Sequence, residues 1–81
     1  MLLCRVVGST VATVKAPGFE RFKLLELRPE RSDHPQFVAI DAVGAGEGDL
    51  VLVALGSAAR SLDATQAVAT DATIVAIVDQ D

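Results

Sequence analysis

Apolar residues come along this chain in five bursts, each closed off by glycine, proline or a polar run. Residues 2–14 carry Val6, Val7, Val11 and Val14 with Thr10 and Thr13, a β-branched content that predicts a long first strand. Gly8 inside it predicts a bulge or bend. Lys15-Ala16-Pro17-Gly18 then reads as a turn, with proline preset for its second position and glycine for the third. In residues 22–28, Leu25 and Leu27 alternate with Leu24, Glu26 and Arg28, the pattern of an antiparallel strand with one mixed face. The run 29–35 has no apolar residue except its prolines and reads as a solvated loop.

A third strand is expected over 36–41, a fourth over 49–55 and a fifth over 73–79. Between the third and fourth, Gly44, Gly46 and Gly48 alternate through a turn over 43–49. The fourth strand, Leu50-Val51-Leu52-Val53-Ala54-Leu55, is apolar at every position, as in a strand covered on both faces. A short chain has trouble covering both by itself, and the expected second cover is another copy of the chain. Gly56 ends this strand, and Ser57 is expected to cap a helical turn through Ala58, Ala59 and Arg60 to about Leu62. Residues 63–71, rich in small residues, carry no clear signal.

Five short strands with close turn signals and one helical turn predict an all-β fold in a single domain, 1–81. The architecture expected is a five-stranded OB-like antiparallel barrel, closed or nearly so. With 81 residues, such a domain buries only about 60 to 65% of its unfolded surface, so association is a natural supplement to its core. Although 51% of the residues are hydrophobic, the chain has no Trp or Tyr and three Phe, leaving Val, Leu, Ile and Ala to build the core.

The net charge of −4 and the scatter of the basic residues argue against a nucleic-acid or membrane partner. A solitary OB-type module for single-stranded nucleic acid or oligosaccharide is the alternative reading, but it requires stacking aromatics in a basic groove. Cys4 is the sole cysteine, which excludes an intrachain disulfide and fits a buried small hydrophobe in a reducing compartment. No apolar run approaches the 18 or so residues that span a bilayer.

Candidate chemistry is thin. Gly44-Ala45-Gly46-Glu47-Gly48 has the spacing G-x-G-x-G and opens a strand, whereas phosphate loops open a helix. Glu47 and Asp49 would also repel an anion. His34 is the only histidine, in a loop with Asp33 and two prolines but without a partner Cys or second His for a metal site, and nothing joins it to Ser57 or Ser61 as a base. Arg60, among small residues after a buried strand, suits an interface ion pair with Asp41, Glu47 or Asp49 of its own or a neighbouring chain. No catalytic, metal or cofactor-binding residue is assigned, and no cofactor is expected.

The run Ala39-Ile40-Asp41-Ala42-Val43-Gly44-Ala45-Gly46-Glu47-Gly48-Asp49-Leu50-Val51-Leu52-Val53, followed by Gly56-Ser57-Ala58-Ala59-Arg60, resembles the signature of the EutN/CcmL family, the vertex proteins of bacterial microcompartment shells. Val7-Gly8, Val11-Ala12-Thr13, Lys23-Leu24-Leu25 and the segment 71–79 extend the likeness over nearly the whole chain. Pro17-Gly18-Phe19-Glu20 and Ser57-Ala58-Ala59-Arg60 look nearer the carboxysomal members. The resemblance implies a non-enzymatic homopentamer of OB-like barrels in the cytoplasm. It would cap shell vertices beside hexameric and trimeric shell proteins, with Gly56, Ser57, Ala58, Ala59 and Arg60 at the pentamer interface or axis. The chain departs from that pattern at Ala58, where many members have serine, and at Ala76, where many have glycine.

Overall fold

The computed structural model describes residues 1–13, 15–66 and 68–79. Five strands form: β1 (Leu2–Thr10), β2 (Leu24–Pro29), β3 (Phe37–Asp41), β4 (Leu50–Leu55) and β5 (Ala72–Ile77). They close into a barrel in the order β1-β2-β3-β5-β4. Closure leaves no sheet edge running the length of the molecule, which removes the hazard of unpaired backbone groups in a small all-β chain.

Four of the five pairings are antiparallel, while β3 and β5 run parallel, Ile40 opposite Thr73 and Asp41 opposite Ile74. The expected antiparallel barrel is therefore found, with this one parallel pair as its exception. The parallel pair arises because the segment between β3 and β5 holds a whole strand, β4, which returns the chain to the same end before β5 begins.

Several boundaries shift. The first strand stops at Thr10, and Val11 beyond it is 92% exposed, because β2 begins at Leu24 and offers no partner further along. Val14, also assigned to that strand from sequence, lies outside the described residues. The second strand starts two residues later than expected and includes Pro29, which is buried opposite Cys4. The solvated loop therefore shrinks to 31–36, since Glu30 is half-buried and its amide bonds the Leu3 carbonyl at 3.0 Å. The last strand ends at Ile77, two residues short of the expected end. Gly8 marks a bulge as its sequence context predicts, the β1–β2 register slipping between Val6 and Gly8.

Inside the barrel, Cys4, Val6, Leu25, Leu27, Ala39, Ala45, Val51, Val53, Ala72 and Ile74 form the main core. Apart from Ala45, which comes from the turn between β3 and β4, these are alternate residues of the strands, as the pleat requires. Burial pushes the Cys4 thiol up to about 11, the nearby Glu30 carboxylate adding to the effect, so Cys4 packs as a neutral hydrophobe. A second, smaller cluster lies outside the barrel, where Phe22, Ile40 and Val68 pack with Phe19 and Leu24. Val68 comes from the stretch that carried no clear signal in the sequence. Within that stretch Asp63–Thr65 form a 3-10 turn, and further 3-10 turns occur at Phe19–Arg21 and Gly56–Arg60.

Candidate functional site

The glycine turn is a stopper for one end of the barrel. At the end of β3 the buried Asp41 carboxylate accepts hydrogen bonds from the amides of Val43 (3.1 Å) and Gly44 (3.0 Å), turning the chain inward. Ala45 then drops into the core with no exposed surface. The Gly46 amide donates to Asp49 Oδ2 at 2.8 Å, and the Asp49 amide returns to the Gly46 carbonyl at 3.0 Å. Val6 of β1 grips the far side, accepting from Gly48 N and donating to Asp49 O, both at 2.9 Å.

Two cations hold the turn from opposite sides. Lys23 Nζ donates to the Ala45 carbonyl and lies 3.7 Å from Asp41 Oδ2. Arg5 reaches the Gly48 carbonyl at 3.1 Å and pairs with Glu30 at 2.8 Å. Neither Lys23 nor Arg5 stood out in the sequence, because their partners, carbonyls and carboxylates alike, lie far along the chain. Of the three glycines, Gly44 and Gly48 adopt φ of 85° and 91°, whereas Gly46 is not in the left-handed region. Only the outer two are backbone necessities.

The arrangement differs from a phosphate cradle, because the amides of Val43, Gly44, Gly46 and Gly48 are bonded to the turn's own carboxylates or to β1. A shallow groove of about 240 Å³ beside it is lined by Gly8, Ser9, Lys23, Leu25, Gly46 and Glu47. Its lysine is already engaged by Ala45 and Asp41.

The second unit is the Gly56–Arg60 turn. Gly56, at φ 64°, swings the chain off the end of β4, and its amide is held by the Asp71 carbonyl at 2.9 Å. The expected serine cap is absent: Leu55 occupies the capping position, no side chain caps the turn, and Ser57 is exposed. A single 3-10 turn of five residues is instead fixed from beneath. Thr73 is fully buried and its hydroxyl donates to the Ala59 carbonyl at 2.7 Å, while Ala59 itself is buried. Gly56, Ser57, Ala58 and Arg60 remain on the surface.

Arg60 does not pair with Asp41, Glu47 or Asp49 of its own chain. Its Nη1 donates to the Thr70 carbonyl at 2.8 Å, and Asp41 and Asp49 are occupied by backbone amides of the glycine turn. The sequence reading ran the turn on to about Leu62, whereas it ends at Arg60, and it missed Thr73, the anchor of the turn, which looks like any strand residue.

The remaining candidates are dispersed. His34 is exposed, its ring edge-on to Phe37 at 5.2 Å and its Nδ1 3.0 Å from the Pro35 carbonyl, not against a serine. Ser61 ends the Gly56–Arg60 turn with its amide on the Ala58 carbonyl at 3.1 Å. Among the described residues no cluster of three or more His, Cys, Asp or Glu is placed to hold a metal ion.

Comparison with known proteins places this geometry. Residues 1–79 match the model of the EutN_CcmL family, described as ethanolamine utilisation protein EutN/carboxysome. The chain is 40% identical to the carboxysome shell vertex protein CsoS4A of Prochlorococcus marinus, covering 98% of this chain and 86% of that one. It is also 40% identical to the bacterial microcompartment shell vertex protein PduN of Salmonella typhimurium, covering 98% and 96%. Among solved structures, the pentameric microcompartment shell protein GrpN from Rhodospirillum rubrum superposes with a TM-score of 0.85 at 37% identity, over 99% of this chain and 95% of that one. With the family model spanning the barrel from first strand to last, and with relatives matched along nearly their whole length, this chain belongs to the EutN/CcmL family.

Proposed function

We propose that this chain is a structural vertex protein of a bacterial microcompartment shell. It forms a closed ring of five copies that occupies the corners where a sheet of six-fold tiles must lose one neighbour to curve. The observation that carries the reading is the end-to-end match, in sequence and in fold, to proteins named as shell vertex proteins, one of them pentameric. The chemistry agrees, since the Asp41 and Asp49 carboxylates of the glycine turn are spent on holding its own backbone.

In this reading the exposed part of the Gly56–Arg60 turn faces the five-fold axis, and the donors of Arg60 not used on Thr70 reach a neighbouring chain. Hexameric and trimeric tiles are the partners at the rim of the ring, and the assembly works in the cytoplasm. Native mass spectrometry tests the ring, with a mass of five chains expected and a stable monomer or dimer refuting it. In the host, deletion of the gene should leave shells that do not close. Normally closed shells in such a strain, with no second vertex protein present, would refute the vertex role even if the ring forms.

A further inference from the structure

The fourth strand has apolar residues on both faces, and the barrel covers only one of them. Val51 and Val53 point inward and have no exposed surface, while the alternate residues Leu50 and Leu52 point outward and are half-buried. Register extends that outer row sideways. Leu3 of β1 lies directly opposite Leu52 on one side, and Ala76 of β5 lies opposite it on the other. Val78 joins the row beside Leu50, whose carbonyl accepts the Val78 amide at 2.8 Å. Residues opposed across antiparallel strands share a face, so these five side chains form one apolar surface across three strands.

The Gly56–Arg60 turn lies over the other end of the same β4–β5 ribbon, where Ala54 and Thr73 are buried. Arg5 borders the apolar row opposite Leu50, but its guanidinium is drawn away to Glu30 and the Gly48 carbonyl. What is left is an apolar face whose nearest charge is tied back, with the exposed Arg28 of β2 one strand further out, opposite Arg5. Such an apolar centre with a polar border suits a protein partner.

We infer that this outer face of Leu3, Leu50, Leu52, Ala76 and Val78 is where the next copy of the chain docks. The inference rests on the ring reading above. A five-membered ring is built from a heterologous contact, in which one patch of each copy meets a different patch of the next. A chain with a core this small, matched over its length by a pentameric relative, has such a partner available in another copy of itself. The row supplies what the core of a subunit contact needs: leucine and valine side chains, with small Ala76 letting backbones approach.

The test compares the native mass of the wild-type chain with Leu52→Glu, Leu52→Thr and, off the row, Val11→Glu, each checked by circular dichroism for an intact barrel. The wild-type and Val11→Glu proteins should remain five-membered. Leu52→Glu should be a folded monomer, and Leu52→Thr, which keeps a strand-favouring side chain, should dissociate at a protein concentration at least about tenfold higher. Should Leu52→Glu fail to fold, Leu52→Thr decides alone. A wild-type ring that persists with unchanged concentration dependence in the folded Leu52 variants overturns this assignment and leaves the ring reading standing. So does a Leu52→Glu ring that stays whole but no longer binds purified shell hexamers, which would give the face to another tile. A monomeric wild-type protein removes the ring reading itself, and this one with it.

Discussion

The barrel has two outer faces built by the same alternation of side chains, and the chain treats them differently. Over β2 and β3, where Leu24 and Ile40 point outward, Phe19, Phe22 and Val68 from the connecting segments lie across them and bring Ile40 to 2% exposure. Over β1, β4 and β5, Leu3, Leu50 and Leu52 keep part of their surface in solvent. With three phenylalanines in the whole chain, Phe37 packing against the main core, the remaining two both serve the first face. An 81-residue chain covers one outer face from its own loops, and the other is open to a neighbour.

This contrast can be broken most sharply at Phe22. Phe22→Ala should cost about 3 kcal/mol of folding stability at every protein concentration, read by thermal or urea unfolding, without altering the native mass of the folded protein. A change in oligomeric mass there would mean that the covered face is also a contact between subunits. The boundary between the faces is probed at Thr73, because the buried Ala59 carbonyl loses its donor in Thr73→Val. A loss of about 1 to 2 kcal/mol is expected, together with faster exchange of the Gly56 and Ser61 amides. Wild-type exchange would show that the turn holds its place without this bond.

A smaller effect, touching neither face, is expected in the glycine turn. Gly48→Ala should destabilise by about 1 kcal/mol because φ there is 91°, while Gly46→Ala should be close to neutral, having an ordinary φ and no atom within 4 Å of the added Cβ. Equal losses in both variants would locate the constraint in packing and not in backbone conformation. The smallest effect belongs to the bare face. Leu52→Ala, unfolded at a dilution where the chain is monomeric, should lose about 0.5 kcal/mol or less. A loss several times larger would mean that the isolated barrel already relies on this side chain.

The elements of the barrel were legible because strands announce themselves locally. The alternation in 24–28, the apolar run of β4 and the bulge glycine each depend on residues that are near neighbours in sequence. What was not legible depends on partners elsewhere. The first strand ends at Thr10 because β2 has no more residues to pair with, although Val11 and Thr13 favour strands as much as Val6 does. Pro29 sits inside a strand despite lacking an amide, opposite Cys4 at the end of the β1–β2 ladder. The parallel β3–β5 pairing and the bonds from Lys23 and Arg5 to the glycine turn are long-range facts with no local mark. For the candidate turn, the glycine at its start was readable, whereas the cap was misjudged. Leu55 takes the capping position in place of Ser57, and the turn is held by Gly56 donating to the Asp71 carbonyl and by Thr73 donating to the Ala59 carbonyl.

The loop over 31–36 has a consequence of a practical kind. All six residues are exposed, and the loop joins β2 to β3. Extending a flexible loop costs only about 0.6 kcal/mol for each doubling of its length. A peptide handle spliced in after Asp33 should therefore leave the melting temperature and the number of chains in the assembly nearly unchanged, making this hairpin tip a position for displaying foreign sequence on the assembled protein.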